Sequence, residues 1–249
     1  MDADFINITP DNLSAEHLCC IIRSKKPHLG VEAKRQWLEA RLKEGHVFRK
    51  LNTKAAVFIE YAPLETAWVP ILGKNFIYIY CLWVSGVPKG SGFGRALMEY
   101  CLSDAKELGK SGVCMLGATK QKAWLSDQAF AKKFGFEVVD TTDYGYDLLA
   151  LSFDGTLPAF SQAVKNPTID RNELTIYYDY QCPYVYQAIE TVRQYCENNE
   201  IPASFVQVDT LRKAKELPCV FNNWAVFYKG KFETVNLLDV TALKRILKK

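Results

Sequence analysis

The stretch Val84–Tyr100, VSGVPKGSGFGRALMEY, decides the fold. Four glycines (Gly86, Gly90, Gly92 and Gly94) run straight into a helix-period segment. A loop this bare of side chains lets another molecule approach the backbone. Upstream lies FIYIYCLWV (76–84), a β-branched and aromatic run that reads as a strand. Strand, glycine loop and helix together make an anion site. The first-turn amides of the helix lack intrahelical partners, and the helix dipole favours negative charge there. Spacing excludes two phosphate loops. A P-loop needs Lys then Ser/Thr after its last glycine, whereas Arg95 and Ala96 follow Gly94. Gly90, Gly92 and Gly94 have G-x-G-x-G spacing, not G-x-G-x-x-G, and antiparallel strands precede them in place of a βαβ start.

Working outward toward the N-terminus, HVFRKL (46–51) and AAVFIEYAP (55–63) read as two more strands. GVEAKRQWLEARLKEG (30–45) reads as a helix with Val31, Trp37, Leu38 and Leu42 near one face and Gly45 as its C-cap. TPDNLSAEHLCCII (9–22) is expected to be a capped helix and FINIT (5–9) a short strand. Toward the C-terminus the helix FGRALMEYCLSDAKELG ends at Gly109, GVCMLGA (112–118) is a buried strand, and KAWLSDQAFAKKFG is a helix stopped by Gly135. FEVVDTTDYGYDLLALSF then reads as two strands about a turn near Asp143–Gly145.

The chain has 249 residues, about half apolar and a quarter charged, which is ordinary for a two-domain soluble protein. A net charge of +3 is too mild to point to nucleic acid, and IIRSKKPH and the LKRILKK tail read as solvated surface. No apolar run reaches the roughly 18–20 residues of a membrane span, and the acidic start is unlike a signal peptide, so the cytosol is expected. None of the eight cysteines forms a C-x-x-C pair, and His17, His28 and His46 have no zinc-like spacing with them, so thiols and no metal are expected. DGTLPAFSQAVKNPTIDRNE (154–173) carries prolines and turn residues and reads as a linker. Beyond it the alternation restarts: LTIYYDY, the helix PYVYQAIETVRQYCENN, ASFVQVDT, LRKAKEL, WAVFYKG, KFETVNLL and VTALKRILKK. The expected domains are 1–153 and 173–249, joined by a linker at 154–172.

Lys89-Gly90-Ser91-Gly92-Phe93-Gly94 resembles the acetyl-CoA loop of the GNAT N-acetyltransferases, with Lys89 where Arg or Gln is usual. LWVSGVP and RALMEY resemble the flanking strand end and pyrophosphate helix, and FAKKFGFEVVD (130–140) the family's apolar-Gly-Phe corner. The resemblance covers residues 1–153. It implies an α+β or α/β architecture, a mixed, mostly antiparallel sheet flanked by helices, with acetyl-CoA as cosubstrate and no metal. It further implies that the strand 76–84 splays from 112–118, that Leu82, Trp83 and Val84 pair with pantetheine through their backbone, and that the amides of Gly90, Ser91, Gly92, Phe93, Gly94 and Arg95, beside Lys89, take the pyrophosphate. A small-molecule or peptide amine then attacks the thioester directly. Many members carry a Tyr four residues before the corner glycine to protonate the thiolate; here that slot is Ala131. Tyr80 is an alternative donor, although strand alternation points it away from the cleft. Glu60, amid Val57, Phe58, Ile59 and Tyr61, is a base candidate if it faces the cleft, and a solvated carboxylate otherwise. Cys81 reads as a buried thiol, and Glu65 and Trp68 have no assigned role. The resemblance places acceptor specificity in the first two helices and in loops such as Lys25–Val31 and Pro63–Lys74.

Cys182-Pro183-Tyr184-Val185 resembles a glutaredoxin-type CPYC motif with Val185 in place of the second cysteine. The resemblance implies a small thioredoxin-like domain, a thiolate favoured at the helix N-terminus, Pro218 of ELPCVF as the cis-proline, and Cys219 as a possible resolving thiol. A GNAT domain with such a tail resembles the bacterial acetyltransferases that carry a YoaP-like C-terminal domain. Two alternatives to acetyl transfer stay open: a non-catalytic acyl-CoA sensor or adaptor, and a thiol-redox protein using Cys182.

Overall fold

The computed structural model describes residues 4–21, 28–120, 122 and 125–249. By contact the chain divides into two compact units, one of residues 1–27, 35–67 and 71–160, the other of 28–34, 68–70 and 161–249.

The first unit is built on a seven-stranded sheet in the order β1-β2-β3-β5-β6-β8-β7. Its strands are β1 (Phe5–Asn7), β2 (Val47–Leu51), β3 (Ala56–Pro63), β5 (Phe76–Ser85), β6 (Gly112–Ala118), β7 (Glu137–Thr141) and β8 (Tyr146–Ser152). A two-residue strand, β4 (Ile71–Leu72), pairs apart from the sheet with β9 (Ala159–Phe160). Every neighbouring pair in the sheet is antiparallel except β5 and β6, which run parallel. Parallel strands need a long crossover, and α2 (Phe93–Glu107) supplies it. Its buried stripe of Leu97, Met98, Cys101 and Ala105 packs on one sheet face with Val57, Ile59, Ile77, Ile79, Val113, Met115 and Leu149. Ala131 of α3 (Gln128–Lys132) and the following Phe136 join the same core. Trp37 of α1 (Leu29–Leu42) packs on the other face, edge-on to Tyr80.

Two helical expectations are corrected. Residues 9–20 form turns, not a helix, and Ile22 lies outside the described residues. The reason is local competition: the Asn12 side chain accepts from the Thr9 N–H at 2.8 Å and donates to the Asn7 carbonyl at 3.0 Å, closing a turn where a helix would propagate. The helix expected from Lys122 begins only at Gln128, behind an N-cap Asp127 whose carboxylate accepts from the Ala129 N–H at 2.8 Å; Ala123 and Trp124 lie outside the described residues. The expected linker also holds structure, namely β9 and the short helix α4 (Gln162–Lys165), capped by Ser161.

The second unit carries a four-stranded sheet, order β11-β10-β12-β13. Its strands are β10 (Leu174–Tyr178), β11 (Ala203–Gln207), β12 (Trp224–Tyr228) and β13 (Lys231–Thr234). β10 and β11 are parallel and are joined by α5 (Tyr184–Asn198); β12 and β13 are antiparallel additions. The β12–β13 turn places Lys229 and Gly230 at φ 50° and 75°, the twist that lets a two-residue hairpin close. Val185, Ile189, Val192 and Cys196 of α5 and Leu243 and Ile246 of α7 (Val240–Leu247) pack against Ile176, Trp224 and Val226. A second cluster gathers Trp68, Leu217, Cys219, Phe221 and Phe227 with Ala214 of α6 (Leu211–Lys215).

Candidate functional site

The glycine loop leads from β5 into α2. Gly86, Gly90 and Gly92 adopt φ of 76°, 81° and 77°, the left-handed region that L side chains rarely occupy. A Cβ added at Gly90 or Gly92 would meet nothing within 4 Å, so the loop surface stands open on that side. Gly92 is the N-cap of α2 and offers no side-chain cap. The first intrahelical bond runs from the Ala96 N–H to the Gly92 carbonyl at 3.0 Å, which leaves the amides of Phe93, Gly94 and Arg95 at the helix start without a helical acceptor. Lys89 and Ser91 are exposed beside them. Arg95 is also exposed and makes a long contact with Glu99 at 3.4 Å.

β5 has a bulge midway. Glu60 of β3 faces Cys81, while Tyr61 faces Ile79, so Tyr80 is the extra residue. A bulge of this kind turns both of its residues toward the partner's side chain. Tyr80 and Cys81 therefore flank Glu60 on the α1 face. The alternation is reset beyond them: Leu82 returns to the α2 face and Val84 lies 3.5 Å from where a Gly94 Cβ would sit, while Trp83 takes the opposite face. Trp83 and Val84 are 47% and 40% exposed, unusual for a central strand.

The exposure has a cause in the sheet. β5 pairs with β6 only from Phe76–Ile79 to Gly112–Met115. β6 continues to Ala118 against β8, and β5 continues to Ser85 against β3. The two strands therefore part beyond Ile79, at the bulge, and the outer edge of Leu82, Trp83 and Val84 is turned toward the gap. The structure thus brings the loop 89–95, the β5 edge and the bulge into one continuous run.

Glu60 does not open onto solvent. It is fully buried, and its Oε2 lies 3.4 Å from His46 Nε2. The His46 ring is held edge-on by Trp37 at 5.3 Å and sits 5.1 Å from the Tyr80 ring, which is itself edge-on to Tyr78. Tyr80 is partly exposed, on the same side of the strand as Glu60. Next to it Tyr61 donates to Asp104 Oδ2 at 2.6 Å, tying β3 to α2, and burial pushes the Tyr61 hydroxyl far above its ordinary range. Ala131 is fully buried in the core, so the α3 slot carries no hydroxyl. Glu65 accepts from the Asn75 backbone N–H and Trp68 is buried, so both have structural work. Sequence reasoning passed over His46 and Trp37. The signal was the hairpin register, because pairing Phe48 with Glu60 places His46 one step along the same face.

In the second unit Cys182 precedes α5, whose N-cap is Pro183, and is partly buried beside the core. Val185 points fully into that core, which explains an apolar residue there. Every peptide bond among the described residues is trans, so Pro218 is not a cis-proline. Cys219 is fully buried in the separate Trp68 cluster, where burial pushes its thiol well up, surroundings that do not favour the thiolate a resolving role needs. Among the described residues no group of His, Cys, Asp and Glu could hold a metal ion, and no helix is long and apolar enough to cross a membrane.

An uncapped glycine-lined helix start beside an open strand edge suits an anionic ligand with an extended arm, and comparison with known proteins says which family carries it here. The acetyltransferase (GNAT) family profile matches residues 12–136 and a YoaP-like profile matches residues 202–245. A Bacillus subtilis (strain 168) protein described as an uncharacterized N-acetyltransferase, YoaP, is 36% identical over 245 residues, 98% of each chain. The chain belongs to the GNAT acetyltransferase family. Among solved structures, a Brucella melitensis GNAT acetyltransferase in complex with acetyl-CoA is 16% identical with a TM-score of 0.41, covering 64% of this chain and 92% of its own. The Escherichia coli ribosomal-protein-S18-alanine N-acetyltransferase is 14% identical with a TM-score of 0.41, covering 62% and 96%.

Proposed function

We propose that this acetyltransferase moves an acetyl group from acetyl-CoA to a primary amine of a small molecule or peptide, by direct attack where β5 and β6 part. The observation that carries the reading is the parting itself, running from the bulge to the uncapped start of α2. The backbone of Leu82, Trp83 and Val84 offers a strand edge to an amide-bearing arm such as pantetheine. The amides of Gly90, Ser91, Gly92, Phe93, Gly94 and Arg95 suit a pyrophosphate, with Lys89 as its counter-charge. The amine nitrogen forms the new C–N bond as the C–S bond breaks. Its surplus proton passes to the pair of Tyr80 and Glu60, and the departing thiolate takes one back from Tyr80. With Ala131 apolar, Tyr80 is the hydroxyl this chain offers beside the gap.

The catalytic domain in this reading is residues 1–153, followed by a linker at 154–172 and a domain at 173–249. The order β11-β10-β12-β13 with one parallel pair supports a thioredoxin-like description of that last domain. Eight free cysteines fit a reducing cytosol. Cys182 is then a binding or structural thiol, and Cys182→Ser leaves acetyl transfer unchanged.

Calorimetric titration of acetyl-CoA, followed by CoA release with spermidine, phenethylamine and a peptide bearing a free α-amino group, tests the reading. Micromolar binding with amine-dependent release supports it. Binding without release from any of these amines favours an acyl-CoA sensor, the reading that Ala131 recommends. No binding at millimolar acetyl-CoA rejects both.

A further inference from the structure

We infer that His46 is a positioning residue of the acetyl-transfer site, holding the Glu60 carboxylate behind Tyr80. The inference rests on the acetyltransferase reading above and adds a residue to it. A carboxylate withdrawn from water is costly unless it is paired. Glu60 has 0% exposure and His46 4%. Their side-chain atoms approach to 3.4 Å. The imidazole is fixed on two sides, by the Trp37 ring at 89° to it and by the Tyr80 ring at 46°. Nε2 is the nitrogen that approaches Glu60.

The location argues for more than folding. Replacing buried polar partners by apolar residues is often neutral or stabilising, so packing alone gives no reason for a carboxylate and an imidazole here. It sits directly opposite the bulge, at the point where β5 leaves β6. Glu60 lies on β3, His46 immediately precedes β2, and Tyr80 lies on β5. The three residues thus join the two-stranded hairpin to the edge that receives the acetyl donor. Removing His46 leaves a buried carboxylate that keeps its proton to higher pH, because one neighbour that favours its charged form is gone. The titratable and charged groups near the pair include Tyr78, Tyr80 and Cys81 on β5, Arg41, which lies 5.8 Å over Trp37 and pairs with Glu44, and the buried Lys34 of α1, one helical turn from Trp37.

The test uses the full chain as wild type, His46→Gln and Glu60→Gln, each checked for folding by its thermal transition. Side-chain nitrogen NMR follows the imidazole titrations, with the His46 signal identified by its loss in His46→Gln. The expected result is a midpoint for His46 that falls by about half a pH unit or more in Glu60→Gln, since a neighbouring carboxylate favours the imidazolium. An unmoved midpoint, or a His46 ring that does not titrate in either protein, overturns the inference whatever the acceptor. Kinetics provide the second arm, with spermidine as the amine. In His46→Gln the acid limb of kcat/KM moves to higher pH, kcat falls about 10²-fold, and KM for acetyl-CoA stays the same. A wild-type profile in His46→Gln overturns the inference while leaving the acetyltransferase reading intact. A wild-type protein that neither binds acetyl-CoA nor releases CoA rejects that reading, and the inference with it.

Discussion

Tyr80 is the residue on which the proposed chemistry turns. It is the extra residue of the bulge, where β5 parts from β6, it lies against the His46 ring, and it stands beside Glu60. Tyr80→Phe keeps the ring packing and removes the proton, so kcat is expected to fall about 10²-fold while calorimetric acetyl-CoA affinity is preserved. Little of this was legible beforehand. Glu60 could be picked out as a carboxylate on an apolar strand, but whether it met solvent, cleft or partner depended on a histidine fourteen positions away. His17 makes a separate point about pH. Burial, and then the nearby Lys50 charge, lower it from 6.5 to about 4. The folded state therefore binds fewer protons than the unfolded chain between those values, and stability falls as pH drops from about 6.5 toward 4. His17→Gln is expected to flatten that part of a plot of unfolding midpoint against pH.

At the scale of elements, the glycine loop and the two-faced strand behave differently as signals. The loop could be read from its residues because the conformation demands glycine: Gly90 and Gly92 sit at φ of 81° and 77°. Gly92→Ala strains the N-cap and costs about 1 kcal/mol or more of stability, visible as a lower thermal midpoint. It should also weaken acetyl-CoA binding, because the α2 amides lose their alignment. Gly94→Ala is milder, since its Cβ would rest in ordinary contact with Val84 and Phe130 at 3.5 Å. β5 misled for the opposite reason. Alternation counted from Phe76 assigns Cys81 through Val84 to the wrong faces, since a bulge spends one residue without a partner. No residue type announces that event. Residues 9–20 failed similarly, because apolar spacing outvoted an Asn12 side chain that closes a turn on both sides.

For the whole molecule, the order of strands and helices was largely readable, since glycines and prolines punctuate it; the partition of segments between the two units was not. Residues 28–34 and 68–70 belong with the second unit although they lie far from it in sequence. Acetyl-CoA at about 100 times its dissociation constant should add about 2.7 kcal/mol to the folded state it binds. That corresponds to a rise of about 5–10 °C in the thermal midpoint, and a flat midpoint would argue against a preformed site. The short parallel seam has a mechanical meaning too. The large sheet is two rigid plates, β1-β2-β3-β5 and β6-β8-β7, welded along Phe76–Ile79 and Gly112–Met115 and braced by α2. A plate pair with a short weld yields along it under load. A donor lodged in the open part of the seam would act as a rivet, so the unit carrying it should resist being pulled apart more strongly than the same unit without it.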